Sequence, residues 1–274
     1  SGRGLRDLPS PATLPALPNP GQTLQRYTVR NPTGGAPVAI DVYLPPRYDP
    51  ASTKKYPVLL GLHGYPGVPR SFFAPNIAPV LGSLEASGKI APSILVVPQI
   101  DIPTTVDTEC VNGGPGEPQT DTWLSSDVPE WIISHFHVKT DRFSWATVGY
   151  SFGGWCAVSL TMRHPDIFGG AISFQGYFRP DFDAGYTPVD TSLAQYDLVR
   201  KEQHDPVPGA IYTVTSKQDG LSYPSTAQFI VAARAPTTLR AVVLPTGGHR
   251  FRVWEPYTGS AFEWLAQTLP GFRA

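Results

Sequence analysis

The chain has 274 residues, 41% of them hydrophobic and 11% aromatic, with a formal net charge of −1. That length and apolar content support one large domain with a sizeable core, and the lack of clustered Lys and Arg argues against a nucleic-acid partner. No run approaches the roughly 20 apolar residues that span a bilayer, and 31 prolines with only 16% charged residues suit a loop-rich chain rather than a charged helical bundle.

The chain opens on Ser1 rather than Met, which reads as a mature or trimmed form whose leader or anchor is already gone. Residues 1–24 read as a tail, because Pro9, Pro11, Pro15, Pro18 and Pro20 break any helix. The tail is either a linker or a strap over a single domain spanning 25–274. From Tyr27 the pattern turns to period two: Tyr27 and Val29, a turn region over Asn31–Gly35, then Val38, Ile40, Val42 and Leu44. This predicts an antiparallel hairpin.

Short continuous apolar runs follow at Pro57–His63, Ile94–Val97, Trp145–Gly149, Gly170–Phe174, Ile211–Thr215 and Leu239–Leu244. Such runs suit strands buried on both faces. Helical patterns alternate with them. Val128, Trp131, Ile132 and Phe136 share one face, with Ser126 or Asp127 placed to cap that helix. Further helices are expected over 153–163, 224–234 and 258–268. The alternation predicts an α/β fold with a mainly parallel sheet and right-handed crossovers. Residues 176–208, rich in aromatics, Asp and Pro, fit neither period and read as an inserted loop or cap region.

Gly149-Tyr150-Ser151-Phe152-Gly153 is a G-x-S-x-G set between an apolar β-run and a helical segment. That context is a nucleophile elbow, which presents a serine hydroxyl at the top of a sheet. A serine hydroxyl needs a base near pH 7. Of six histidines, His249 in Gly247-Gly248-His249 follows the last strand and falls on the same sheet edge as Ser151. His63 also ends a strand but precedes Ser151. His135, His137, His164 and His204 read as surface or structural residues.

The acid that orients the base follows the nucleophile and precedes His249 in this chain order. Asp166, Asp181, Asp183, Asp190, Asp197, Glu202, Asp205 and Asp219 qualify by order. Asp219 alone follows a strand by a short loop, with Asp205 as runner-up. An oxyanion needs N–H donors. The Phe152 amide, next after the nucleophile, is one candidate. In His63-Gly64-Tyr65-Pro66-Gly67, Pro66 has no N–H, so the Tyr65 amide is the other.

These residues resemble a known family. Val42–Tyr48, Tyr56–Gly64, Trp123–Trp131, Gly149–Gly154 and Gly247–Trp254 look like the putative-esterase family, which includes esterase D, feruloyl esterase domains and secreted actinobacterial mycolyltransferases. The resemblance covers about residues 25–268. It implies an α/β-hydrolase fold, Ser151 as nucleophile, Asp219 as acid, His249 as base, and the Tyr65 and Phe152 amides as oxyanion hole. The Cys110–Pro118 segment and the 176–208 insert depart from the family pattern and are expected to shape the acyl or alcohol pocket.

Cys110 and Cys156 read either as free thiols or as one disulfide pinning the 103–120 loop beside the site. A disulfide would imply an oxidising compartment. Aromatic residues Trp155, Tyr177 and Trp254 are candidate pocket walls. The leading expectation is a serine carboxylesterase acting on a small-molecule or glycolipid ester, secreted or in the cell envelope, as a monomer or weak homodimer. Acyl transfer to a sugar or polyol, peptide hydrolysis, and a non-catalytic binding domain are the alternatives. No metal or organic cofactor is implied, since the histidines lack the spacing of a zinc motif.

Overall fold

The computed structural model describes residues 4–189 and 191–274. Eight strands form one sheet: β1 (Leu24–Val29), β2 (Val38–Tyr43), β3 (Val58–Leu62), β4 (Ile94–Pro98), β5 (Trp145–Tyr150), β6 (Gly170–Phe174), β7 (Ala210–Ser216) and β8 (Thr238–Leu244). Their spatial order is β1-β2-β4-β3-β5-β6-β7-β8. β1 and β2 pair antiparallel, and β2 is antiparallel to β4. From β4 through β8 every pairing is parallel. This is the α/β-hydrolase fold.

Continuous apolar strands make two cores. In β3, Val58, Leu60 and Leu62 join the core on one face, and Leu59 joins the other. β4 divides likewise, Ile94 and Val96 against Leu95 and Val97. Alternation by two sends neighbouring side chains to opposite faces, so a strand covered on both must be apolar throughout.

Among the described residues, eight α-helices flank the sheet: α1 (Ile77–Ala86), α2 (Thr120–Thr122), α3 (Val128–His135), α4 (Phe152–Arg163), α5 (Leu198–His204), α6 (Tyr223–Ala232), α7 (Phe251–Trp254) and α8 (Thr258–Thr268). α1, α2, α5 and α7 are not among the helices expected from the sequence. α1 contains Pro79 and Gly82, which hide its period. Neither Ser126 nor Asp127 caps α3, contrary to expectation. The chain is already helical from Thr120, passes through a wide π turn at Trp123–Asp127, and Asp127 makes no capping bond.

In the 176–208 stretch, Phe178, Tyr196, Leu198 and Val199 are buried in the core. Asp190, one of the acids considered, lies outside the described residues, as do residues 1–3. Leu5 of the tail is buried against the core. Among the described residues no helix is long and apolar enough to cross a membrane.

One core-facing acid makes the fold sensitive to pH. Glu85, at the end of α1, accepts the Ser93 N–H at 2.6 Å ahead of β4, while its other oxygen is buried without a partner. Burial pushes this carboxyl from 4.5 up to about 8, against the opposing Ser93 amide. A carboxyl raised in the folded state contributes stability that is full below its unfolded value and is lost as pH rises through its folded value. The loss should therefore develop between about pH 4.5 and pH 8. In urea denaturation at pH 5 and pH 9, Glu85→Gln should flatten the decline with pH by on the order of a few kcal/mol. Parallel curves for both proteins would contradict the buried-acid account.

Candidate active site

Four loops at the carboxyl ends of β3, β5, β7 and β8 converge above the sheet, the usual place for a site in an open α/β sheet. Ser151 lies between β5 and α4 with φ 56° and ψ −125°, a region rarely adopted by a residue with a side chain. The turn is tight enough that a Cβ on Gly153 would strike the Leu62 carbonyl oxygen of β3, and one on Gly149 would strike the Gly153 carbonyl. Glycine at both positions is thus required for the elbow to close. The Ser151 N–H donates to the Phe174 carbonyl of β6 at 2.9 Å, which locks the turn to its neighbour strand.

The Ser151 hydroxyl stands 2.5 Å from His249 Nε2, and His249 Nδ1 stands 2.7 Å from Asp219 Oδ2. A carboxylate only accepts, so Nδ1 carries the proton and Nε2 offers its lone pair to the Ser151 hydroxyl. Asp219 is 2% exposed. Its Oδ1 accepts the Leu221 and Ser222 N–H groups, both at 3.1 Å, leaving Oδ2 aimed at the imidazole. Asp205 sits at the end of α5 beside Lys201, outside this group.

The loop bearing His249 is latched on both sides. The Gly247 N–H donates to Gln218 Oε1 at 2.9 Å, and Ser216 Oγ donates to the Gly247 carbonyl. Gln175 donates from Nε2 to the Gly248 carbonyl at 2.9 Å and accepts the Arg250 N–H at 3.1 Å.

Beside the serine, the rings of Tyr65 and Phe152 lie 6.0 Å apart. Phe152 opens α4, and helical geometry leaves its N–H without an intrahelical acceptor. His63 underlies the Tyr65 loop. Its Nε2 accepts the Ile100 N–H at 3.1 Å, so its Nδ1 donates to the Gly64 carbonyl at 2.7 Å. Burial pushes His63 down to about 4, with the Gly64 carbonyl opposing, and keeps it neutral. With both ring nitrogens bonded to backbone groups, it serves this loop as a scaffold.

A cavity of about 300 Å³ opens on Ser151, walled by Tyr65, Pro66, Tyr150, Phe251 and Trp254, with Ser71, Gln175 and Arg250 supplying polar atoms. Trp254 stacks on Phe174 at 4.5 Å and on Tyr150 at 5.7 Å. Trp155 and Tyr177, considered as pocket walls, do not line it. They stack on each other at 5.9 Å inside the core, where Trp155 donates to the Glu109 backbone carbonyl and Tyr177 to its side-chain carboxyl oxygen. Trp155 is thus directed from α4 toward the 103–120 loop and Tyr177, away from the cavity. Gln175, Arg250 and Phe251 escaped sequence reasoning. For the last two, adjacency to His249 was the available signal.

Cys110 and Cys156 are bonded, with Cα atoms 5.7 Å apart, joining the second turn of α4 to the 103–120 loop. Next to this bond, burial pushes the Glu109 carboxyl well up. Among the described residues no group of three or more His, Cys, Asp or Glu side chains is placed to hold a metal ion.

A sequence model of the family described as Putative esterase matches residues 32–256. An uncharacterized protein of Corynebacterium glutamicum is 26% identical over 258 residues, which cover 82% of this chain and 56% of that protein. The chain therefore spans just over half the length of this curated relative. The MPT51 antigen of Mycobacterium leprae is 42% identical over 65 residues, 24% of this chain and 21% of the antigen. Among solved structures, a ferulic acid esterase superposes with a TM-score of 0.71 at 21% identity, covering 88% of this chain and 97% of that one.

The cross-link closes a loop of 46 residues. Chain-entropy arithmetic gives such a loop about 4 kcal/mol of stabilisation. A Cys110→Ser/Cys156→Ser double variant should lose about that much unfolding free energy in denaturant titrations, with the same loss in wild type after reduction. Unchanged stability in both would remove the structural role assigned to the bond.

Proposed function

We propose, from the premise that the chain belongs to the putative-esterase family and is a hydrolase, that it cleaves carboxylic esters through an acyl-enzyme on Ser151. The observation that carries this reading is the unbroken chain Ser151 Oγ, His249 and Asp219, at 2.5 and 2.7 Å.

In this mechanism His249 Nε2 takes the hydroxyl proton as Ser151 Oγ bonds to the ester carbonyl carbon. Asp219 holds the imidazole tautomer and stabilises the imidazolium. The oxyanion of the tetrahedral intermediate accepts from the Tyr65 and Phe152 amides. Loss of one such donor typically costs about 2.7–4 kcal/mol of barrier. Collapse breaks the bond to the alcohol oxygen, which leaves with the proton from His249. Water then attacks the acyl-enzyme, gives a proton to His249, and Ser151 recovers it as the acid departs.

The aromatic cavity beside Ser151 suits an apolar acyl or alcohol group of a small-molecule or glycolipid ester. The Cys110–Cys156 bond supports an extracytoplasmic location, where such bonds persist. Acyl transfer to a sugar or polyol is the second reading, since the family resembled also includes secreted mycolyltransferases. It uses the same triad and differs only in which hydroxyl meets the acyl-enzyme.

The test compares wild type with Ser151→Ala on p-nitrophenyl esters from acetate to palmitate, with and without an added polyol. Activity should fall by about three orders of magnitude or more in the variant. Faster release of p-nitrophenol together with a new polyol ester would favour transfer. Equal activity in the two proteins would exclude Ser151 as nucleophile, and no reaction of wild type with esters or a fluorophosphonate would leave a binding domain.

A further inference from the structure

The base stands on weaker ground than its partners. His249 follows β8, the edge strand, several of whose residues are exposed. The His249 side chain is itself 34% exposed. Core packing does not hold its loop, so hydrogen bonds must.

Gln175 supplies two of them, and they bracket the histidine. Its carboxamide donates to the Gly248 carbonyl and accepts the Arg250 N–H, the residues immediately before and after His249. A carboxamide is the side-chain group that offers a donor and an acceptor side by side. A loop presenting one carbonyl and one N–H on either side of a histidine is its complement. Gln175 is itself immobilised: it is 1% exposed, and its backbone N–H donates to the Val214 carbonyl of β7 at 2.8 Å. It holds a left-handed backbone at φ 50°, unusual for a residue with a side chain. Such strain persists where the surroundings over-determine it, often at functional sites.

The preceding residue completes the device. The Phe174 carbonyl accepts the Ser151 N–H, while the Gln175 side chain grips the His249 loop. Two consecutive residues at the end of β6 thus hold the backbones on both sides of the 2.5 Å Ser151–His249 contact.

We propose that Gln175 is a positioning residue for the general base, setting the distance and angle at which His249 meets Ser151. The inference rests on Ser151 and His249 being nucleophile and base. Gln175 also borders the cavity, but both polar atoms of its carboxamide are taken up by the His249 loop, and it acts through that loop.

The experiment uses the full chain, with kcat and KM measured on a p-nitrophenyl ester for wild type, Gln175→Met, Gln175→Glu, His249→Ala and the Gln175→Met/His249→Ala double variant. Gln175→Met keeps the bulk and removes both bonds. Gln175→Glu is nearly isosteric and keeps the acceptor but, when ionised, loses the donor. Misplacing a catalytic group by about 1 Å can cost about 100-fold. We expect kcat to fall about 10- to 100-fold in Gln175→Met with KM nearly unchanged, a smaller fall in Gln175→Glu, and a parallel slowing of fluorophosphonate labelling. In the His249→Ala background Gln175→Met should cost nothing further, because groups acting as one unit are non-additive. A merely structural role would lower both backgrounds alike.

Wild-type kcat in either Gln175 variant at unchanged melting temperature would overturn the proposal, as would additive losses in the double variant. If Gln175→Met melts early, Gln175→Glu decides. If His249→Ala retains wild-type activity, the base assignment fails first, an outcome separable from failure of Gln175.

Discussion

The site depends on one backbone constraint: Ser151 is held at φ 56° between a buried central strand and a buried helix. That conformation is unfavourable for a serine, and three features keep it in place. Gly149 and Gly153 let β5 and α4 approach β3 to a distance that no side chain tolerates. The Phe174 carbonyl takes the Ser151 N–H. The buried aliphatic and aromatic face of α4 packs the helix down onto the sheet. The strain raises the hydroxyl above the strand ends, where loops from β3, β7 and β8 can reach it. Without that turn, His249 and Asp219 would form a pair with nothing to act upon.

Much of this was legible in the chain because the controlling signals are local. The doubly buried strands write themselves as continuous apolar runs, since neither face can carry a polar group. The elbow is legible because a glycine on each side of a serine, after a strand, has few other uses. Asp219 was separable from its rivals by its place after a strand. α1 was not legible, because Pro79 and Gly82 interrupt its period, and it forms by packing against α8 and the sheet. The turn at Trp123–Asp127 defeated the capping argument, since a helix continuing from Thr120 needs no start at Asp127. Trp155 and Tyr177 looked like pocket walls because an aromatic residue beside a nucleophile is ambiguous in one dimension. Burial on nearly every side of α4 sends Trp155 into the core. Gln175 carries no motif, and its role emerges only when the ends of β6 and β8 meet in space.

Electrostatics divide the neighbourhood into a reactive part and a passive one. His63 lies under the Tyr65 loop, yet burial holds it neutral and both ring nitrogens are occupied by backbone groups. Its chemistry is spent on shaping the Gly64 carbonyl. In the loop after β4, Asp101 is pushed up to about 7 by burial, and Glu109 well above its ordinary range. These acids therefore resist ionisation beside the cross-linked loop and serve as hydrogen-bonding partners, Asp101 for Thr108 and Glu109 for Tyr177 and the Asp181 amide. Asp219 differs through its solvation by backbone amides. Two N–H groups on one oxygen and the imidazole on the other satisfy a carboxyl that is otherwise sealed from solvent.

Support for the three side chains changes in kind from the middle of the sheet to its edge. Ser151 follows β5, flanked by strands on both sides, and is held by packing and by the Phe174 carbonyl. Asp219 follows β7 and is buried, held by packing and by the Leu221 and Ser222 amides. His249 follows β8, which has one neighbour and a partly exposed face, so discrete hydrogen bonds from Ser216, Gln218 and Gln175 replace the missing core. Hydrogen bonds to a loop are directional where packing is not, and the base proposed at His249, accepting a proton from one oxygen and returning it to another, needs direction more than burial. An edge strand is thus a workable place for the histidine, because it leaves the imidazole open to substrate while neighbouring strands fix its backbone.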